Sequence, residues 1–183
     1  MFGLLKRKKP YEQEAALVFE RAHEQSRRTE FYTDLLVEDS TEGRFGVLAL
    51  HMFMVMHVLK DIKGGPELSQ SLFDFAFADI DRGYREIGVG DMGIPKRMKK
   101  LMLSFNGAMH AYEAGLESEY GLKPALRRNI YTAYIGEEKA LEKPLNVLAA
   151  YVYENIAHLQ SQKEEAMIKG NVQFKEIKGF IKT

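Results

Sequence analysis

The chain has 183 residues, of which 45% are hydrophobic and 28% are charged. This composition is typical of one folded domain and excludes a mainly disordered chain. The absence of cysteine excludes disulfides, thiol nucleophiles and cysteine-ligated metal clusters. Because 26 basic side chains balance 26 acidic ones, attraction to a charged partner has to come from local patches.

The first ten residues predict a basic N-terminal tail. Lys6, Arg7, Lys8 and Lys9 follow a short apolar tip. Each basic residue near an anionic leaflet contributes about 1 kcal/mol, so these four are candidates for contact with an anionic inner membrane, and a frayed, solubilising terminus is the alternative. The tip is too short for a secretory signal, and glutamate-rich helical sequence begins at Tyr11. We therefore expect a bacterial protein on the cytoplasmic side.

Residues 11–169 are predicted to form an all-helical domain. Its first helix runs from Tyr11 to about Leu36 and is rich in glutamate, alanine and arginine. After a polar break, Phe45 to about Lys60 is apolar on nearly every side, as expected of a central helix wrapped by others. This run of about 15 residues contains His51 and His57, whereas a bilayer-spanning helix needs roughly 20 apolar residues. A buried core helix is therefore favoured over a membrane span.

Glycine and proline mark the limits of four further predicted helices. They span about Glu67–Ile87, Pro95–Leu116, Pro124–Ile135 and Pro144–Ile168. Residues 170–183 are predicted to be a short basic C-terminal tail. No strand-like alternation occurs, so the predicted fold class is all-α: one single-domain bundle of about six or seven helices around the central helix, residues 45–60.

The histidines do not follow the spacing of known metal sites. A di-iron bundle requires two Glu-x-x-His motifs, and Glu20 with His23 supplies one. We therefore favour ordinary surface residues over a metal site there. His51 and His57 are six residues apart rather than at the i, i+4 spacing of a zinc pair, which favours buried, hydrogen-bonded histidines. With no recognisable nucleophile–base pair, we expect no metal, no cofactor and no enzymatic activity.

Three aspartates, Asp74, Asp79 and Asp81, invite comparison with enzymes that hold a magnesium diphosphate. Their spacing of five and two residues places them around the helix rather than on one face. A salt-bridged or solvated face is therefore favoured. The pairs available at i, i+4 are Asp81 with Arg85 and Arg82 with Glu86.

An acidic helix ending in Arg-Glu-x-Gly-Val-Gly-Asp precedes a basic helix with Lys-Arg-x-x-Lys in the segment Phe73–Leu116. This segment resembles the signature of the ubiquinol–cytochrome c chaperone family. The matching positions are Arg85, Glu86, Gly88, Val89, Gly90, Asp91, Lys96 and Lys99. Upstream, Glu42-Gly43-Arg44-Phe45 and Leu50-His51 resemble the start of the family's central helix. The chain departs from the family at Phe105-Asn106-Gly107-Ala108, where Phe-Tyr-Gly-Arg is usual.

The resemblance implies a non-catalytic assembly chaperone that binds newly made cytochrome b during the biogenesis of respiratory complex III. It implies nascent or newly inserted cytochrome b as the client, with the ribosomal exit region or a small partner protein as further partners. The candidate partner- and client-binding residues are Arg85, Glu86, Asp91, Lys96, Arg97, Lys99 and Lys100.

Four of these candidates, Lys96, Arg97, Lys99 and Lys100, crowd the first turns of a predicted helix. Positive charge there opposes the helix dipole and costs roughly a few tenths of a kcal/mol per residue. A patch for an anionic partner, such as ribosomal RNA or an acidic protein face, would explain that cost. The alternative is neutralisation by the preceding helix and turn, through Asp79, Asp81, Glu86 and Asp91.

Methionine is the last feature that bears on a client. Flexible thioethers adapt to varied apolar clients, so a methionine-lined surface is one interpretation, and core filling is the other. The residues concerned are Met52, Met54, Met56, Met92, Met98, Met102 and Met109.

The alternative function is a helical enzyme or carrier for an apolar ligand of the isoprenoid or quinone type. It predicts a deep closed pocket lined by Phe53, Phe75, Phe77 and Tyr84, with the three aspartates at its mouth. A shallow exposed groove would favour the chaperone.

Overall fold

The computed structural model describes residues 10–88, 90 and 93–181, and all regular secondary structure within them is helical. These ranges contain nine α-helices and one turn of 3-10 helix, Glu138–Leu141. They are α1 (Glu12–Ser26), α2 (Glu30–Thr33), α3 (Thr41–Leu59), α4 (Gly65–Glu86), α5 (Ile94–Glu117), α6 (Lys123–Ile130), α7 (Glu142–Gln160), α8 (Glu164–Ile168) and α9 (Lys178–Ile181). The predicted all-α single domain is confirmed.

Helix α3 lies at the centre of the bundle, as its composition predicts. It packs against α1, α4, α5, α6 and α7, and Ser40 caps its first turn by accepting a hydrogen bond from the Gly43 amide at 3.2 Å. By length and composition α3 is the one described helix that could cross a bilayer, yet 67% of its most apolar window is buried inside the protein. Its apolar side chains therefore form the core of the domain.

Two predicted helices are divided in the structure, which raises the helix number above the predicted six or seven. The first ends at Ser26, where the Tyr32 hydroxyl donates to the Ser26 carbonyl oxygen at 2.7 Å. The chain then makes the single turn of α2 and reverses through Leu36, whose φ of 59° is left-handed. The last predicted helix divides between α7 and α8, at residues 161–163.

The predicted C-terminal tail is packed against the bundle as far as it is described. Val172 and Ile177 are buried, and the Lys175 amide donates to the Asn155 side-chain oxygen at 2.8 Å. Phe180 in α9 contacts the ring of Tyr151 edge-on. Residues 171–181 therefore belong to the folded domain rather than to a free tail.

A layer of aromatic rings fixes α4 and α5 against α3. Phe77 of α4 lies 5.7 Å from Phe105 of α5 and 6.3 Å from Phe45 of α3, measured between ring centroids. Phe73 packs against both Phe77 and Phe105. Such rings supply much of the apolar area that a helical core buries, and here they set the separation of the helices that carry the candidate site.

Candidate functional site

The basic patch, defined here as Lys96, Arg97, Lys99 and Lys100, lies on the first turns of α5. Pro95 occupies the start of this helix, where its missing N–H costs no hydrogen bond. Met98, in the middle of the patch, points into the core, whereas all four cations are exposed. The structure therefore presents the four predicted residues together on one surface.

Two aspartates of α4 are paired within their own helix. Asp81 accepts from Arg85 at 2.8 Å, as its spacing predicts, and Asp79 accepts from Arg82. Arg82 thus pairs with the aspartate three residues before it rather than with Glu86. Among the described residues, no ion pair joins these aspartates to the basic patch. Neutralisation of the patch by Asp79 and Asp81 is therefore not supported.

The remaining predicted partner residues lie around this helix junction. Arg85 and Glu86 are exposed at the end of α4, where Gly88, with a φ of 77°, turns the chain. Arg97 lies with its guanidinium carbon 5.8 Å from the centroid of the Tyr84 ring, a cation–π geometry. Predicted residues outside the described ranges are Lys6, Arg7, Lys8, Lys9, Val89, Asp91 and Met92.

Of the two interpretations of the methionines, core filling applies to three of them. Met52, Met54 and Met98 are buried in the core, where flexible side chains fill irregular space. Of the described methionines, Met102 is the one counted among the exposed large apolar residues.

The exposed apolar surface is supplied instead by residues that sequence reasoning missed. Ile87 is 75% exposed after the end of α4, Ile135 is 100% exposed in the loop after α6, and Leu103 is 64% exposed on α5. Ile87 and Ile135 each precede a glycine at a helix end or loop, outside any helical stripe. A branched apolar residue directly before a glycine, outside a helical stripe, is the sequence pattern from which their exposure could have been predicted.

Three adjoining concavities surround the first turns of α3, and we refer to them together as the α3 groove. The first, of about 410 Å³, lies between α3, α5 and α6, and it shares Glu42 with a second of about 550 Å³ that Leu36 and Ile135 border. A third, of about 340 Å³, shares Phe45 with the first and is bordered by Ile87. Two of the exposed apolar residues, Ile87 and Ile135, and two cations of the basic patch, Arg97 and Lys100, thus border these adjoining concavities.

Glycines at the start of α3 allow this close packing. A Cβ on Gly43 would lie 2.0 Å from the Glu38 carbonyl oxygen, and one on Gly46 would lie 3.1 Å from the Asn129 carbonyl oxygen. Arg44 makes two hydrogen bonds to Asp39, at 2.5 and 3.1 Å, and this pairing lowers the pKa of Asp39. The family-like motif around Gly43 therefore shapes the entrance to the groove.

Both central histidines are hydrogen-bonded, as predicted from their spacing, and His51 is buried whereas His57 is partly buried. His51 is fully buried with Nδ1 2.8 Å from the Val47 carbonyl oxygen and Nε2 2.9 Å from the Tyr151 hydroxyl. Its partners lie on helices rather than on the predicted neighbouring loops. Desolvation lowers the pKa of His51 to about 4, which keeps the ring neutral. His57 is hydrogen-bonded to Glu113 at 2.9 Å.

The Glu20–His23 motif does not form part of a metal cluster in the described part of the chain. Glu20 is exposed, and the His23 ring stacks on Phe19 at 5.7 Å. The described residues contain no group of three or more histidine or acidic side chains that could hold a metal ion.

The pocket predicted for an apolar ligand is not formed by its phenylalanines. Phe53 packs against Tyr112 at 5.1 Å, Phe75 against Phe19 at 5.4 Å, and Phe77 lies in the aromatic layer of the core. Tyr84 does border the first concavity of the groove, but basic residues rather than the three aspartates lie beside it.

The position of the family departure is also clear. Phe105 is buried in the aromatic layer, while Asn106 and Gly107 face solvent. Ala108 borders the cavity of about 410 Å³. The residue usual there in the family, an arginine, would be larger by several atoms, so this cavity depends on the alanine in this chain.

Comparison with known proteins places this geometry in a family. The family model described as ubiquinol-cytochrome C chaperone matches residues 33–174. A crystal structure described as the Cbp3 homolog from Brucella abortus is similar, with a TM-score of 0.77 and 32% sequence identity over 94% of each chain. No curated protein sequence matches. The match covers both the α3 groove and the basic patch, and the chain belongs to the ubiquinol–cytochrome c chaperone family.

Proposed function

We propose that this protein is an assembly chaperone of respiratory complex III whose client is newly made cytochrome b. Membership of the chaperone family and the likeness to the Cbp3 homolog from Brucella abortus support an assembly chaperone. The observation that carries the proposal for the client is the α3 groove, a depression with exposed apolar side chains at its edges. Large exposed apolar residues grouped in this way are typical of protein-binding surfaces.

We assign different roles to the two parts of the surface. Ile87 and Ile135, at the edges of the groove, would bind apolar segments of the client before those segments are inserted or packed. The basic patch would dock the complex on an anionic surface, either ribosomal RNA at the exit region or the inner membrane. The short loops of membrane proteins on this side are rich in lysine and arginine, so the patch is poorly suited to bind them directly.

The other predicted residues fit this proposal as docking elements. Arg85 and Glu86 lie at the same helix junction as the patch and would contact a small partner protein or the ribosome. Lys6, Arg7, Lys8 and Lys9 would add a peripheral contact with the anionic cytoplasmic face of the membrane.

The proposal is tested in a bacterium that carries complex III. Deletion of the gene should reduce assembled complex III and spectroscopically detectable haem b, and a tagged copy should co-purify with cytochrome b. Normal levels of assembled complex in the deletion strain would refute the proposed client.

The groove itself is tested by a matched pair of variants. Ile87→Asp combined with Ile135→Asp should abolish co-purification of cytochrome b while leaving the thermal unfolding midpoint unchanged, because both side chains are already exposed. Leu17→Asp, which changes an exposed leucine on α1, is the control and should retain the client. Equal retention by all variants would exclude the groove as the client site.

A further inference from the structure

The cavity of about 410 Å³ in the α3 groove is lined by a regular stripe of α5. Arg97, Leu101, Ser104, Ala108 and Tyr112 recur at three- and four-residue steps on the side that faces α3. With a rise of 1.5 Å per residue, these positions cover about 22 Å of the helix axis. The cavity is therefore elongated, and its volume lies within the range of about 300–1,000 Å³ that is usual for small-molecule sites.

Small side chains keep this space open. Gly46 and Ala49 on α3 border it, as do Ser104 and Ala108 on α5. Phe77 of the aromatic layer contacts Phe45 of α3 and Phe105 of α5, and these contacts keep the two helices apart at the cavity. The cavity is thus a consequence of well-packed helices with short residues between them.

One residue of the cavity lining carries an unused hydrogen-bonding group. Tyr112 borders the cavity and is fully buried, yet its hydroxyl has no hydrogen-bond partner among the described residues. The other two large buried tyrosines are satisfied, because Tyr131 donates to the Leu35 carbonyl oxygen and Tyr151 bonds to His51. Burial raises the pKa of Tyr112, so its hydroxyl stays protonated and able to donate. A buried polar group of this kind calls for an explanation.

One end of the cavity is positively charged. Arg97 and Lys100 border it at the first turns of α5, where the helix dipole adds partial positive charge. Within the described ranges neither forms an ion pair. Glu42 is the single acidic residue of the lining, so the two cations leave this end with a net positive charge.

We propose that this cavity binds an amphipathic organic anion with a single apolar chain or ring body. Its negative group would lie between Arg97 and Lys100, its apolar body between α3 and α5, and an oxygen at its far end would accept from the Tyr112 hydroxyl. This site does not depend on the proposed client. Because Arg97 and Lys100 belong also to the basic patch, a bound anion would reduce the positive charge that the patch offers to other partners.

The proposal is tested by calorimetric titration of the purified protein with two probes, lauric acid and ω-hydroxylauric acid, below the concentrations at which they form micelles. The hydroxylated probe supplies the second oxygen and should bind about tenfold more tightly, because a site built around a polar group discriminates against a ligand that lacks its partner. Tyr112→Phe should remove this difference between the two probes.

Three further variants test the walls and the charged end. Ala108→Leu fills the cavity and should abolish binding of both probes, whereas the control Ala114→Leu, on the exposed side of the same helix, should not. If Ala108→Leu does not fold, Ser104→Leu, at an exposed lining position, tests the same space. Replacing Arg97 and Lys100 together by glutamine should weaken the binding of both probes at least tenfold.

The proposal fails if neither probe binds, or if the preference for the hydroxylated probe survives in Tyr112→Phe. It fails also if a folded cavity-filling variant binds as the wild type does. In each of these cases the cavity is not the proposed anion site, and a water molecule remains the partner that could satisfy the Tyr112 hydroxyl.

Discussion

At the scale of single residues, buried polar side chains show how closely this helical core is specified. His51 lies between Val47 and Tyr151 with both ring nitrogens hydrogen-bonded, and Phe31 and Phe174 pack edge-on against its ring. A neutral imidazole fits this environment, because one nitrogen donates to the carbonyl and the other accepts from the tyrosine. A protonated ring would carry its charge in a fully buried site, where desolvation disfavours it.

The burial of His51 predicts a loss of stability in mild acid. Its pKa is about 4 in the folded protein and about 6.5 in the unfolded chain, so the unfolded state binds the extra proton between these values. The contribution of neutral His51 to the free energy of unfolding is complete above about pH 6.5. It decreases by about 3 kcal/mol in total as the pH falls towards 4. Urea unfolding across this range should show the decrease in wild type, and His51→Gln should reduce the slope.

A control separates this effect from the titration of carboxylates. His110→Gln alters an exposed histidine and should keep the wild-type dependence of unfolding free energy on pH. If His51→Gln and wild type have the same slope between about pH 6.5 and 4, His51 is not the group responsible.

A second residue-scale prediction concerns the buried tyrosine hydroxyls. Tyr131 donates to the Leu35 carbonyl oxygen at 2.8 Å, immediately before the left-handed Leu36. Tyr131→Phe leaves that carbonyl unpaired and should lower the free energy of unfolding by about 1–2 kcal/mol. Tyr112→Phe removes a hydroxyl without a protein partner and should lower it by less than about 0.5 kcal/mol. Chemical unfolding of both variants measures the difference, and equal losses would contradict this account.

At the scale of elements, helix starts could be predicted from the sequence better than helix breaks. Pro95 and the Gly64-Gly65-Pro66 turn mark where α5 and α4 begin, since glycine and proline act through the local backbone. The break after Ser26 has neither residue and depends on the hydrogen bond from Tyr32, a contact that exists only once the chain has turned. Residues 171–181 were similarly unpredictable, because their packing rests on distant partners such as Asn155.

Two glycines of α4 predict opposite effects of the same substitution. A Cβ on Gly65 would lie 1.8 Å from the Leu59 carbonyl oxygen, so Gly65→Ala has to displace the backbone between α3 and α4. We expect it to lower the free energy of unfolding by at least about 2 kcal/mol. Gly83, with nothing near its Cβ position, should tolerate alanine and gain about 0.5–1 kcal/mol from helix propensity. Thermal unfolding distinguishes them, and a neutral Gly65→Ala would show that the junction is less tightly packed.

At the scale of the whole molecule, local composition and tertiary arrangement contribute different parts of the site. The basic patch could be predicted, because a run of cations on one helix remains a run of cations in any fold. The groove and its cavity could not be predicted, because only the packing of α3 against α5 brings Ala49 and Ala108 to the same cavity. The two interpretations of the methionines stay open at the level of sequence for the same reason: their sequence pattern does not show which side of each helix faces the core.

The basic patch predicts binding that depends on salt although the molecule has a formal net charge of zero. Replacing Lys96, Lys99 and Lys100 by glutamate should weaken binding to anionic lipid vesicles or to ribosomes at least a hundredfold. The reason is that each lysine near an anionic surface contributes about 1 kcal/mol and each glutamate adds repulsion. Wild-type binding should also decrease with rising ionic strength.

The matched control applies the same charge change to exposed lysines away from the patch. The variant with glutamate at Lys139, Lys143 and Lys163 has the same net charge, so retention of most of its binding would show that position rather than total charge decides the affinity. Co-sedimentation with vesicles and with purified ribosomes, each in low and high salt, also shows which anionic surface the patch binds. If neither triple variant weakens binding and salt does not affect it, the patch has no docking role. The reason is that exposed cations attract an anionic surface by electrostatics, which salt screens.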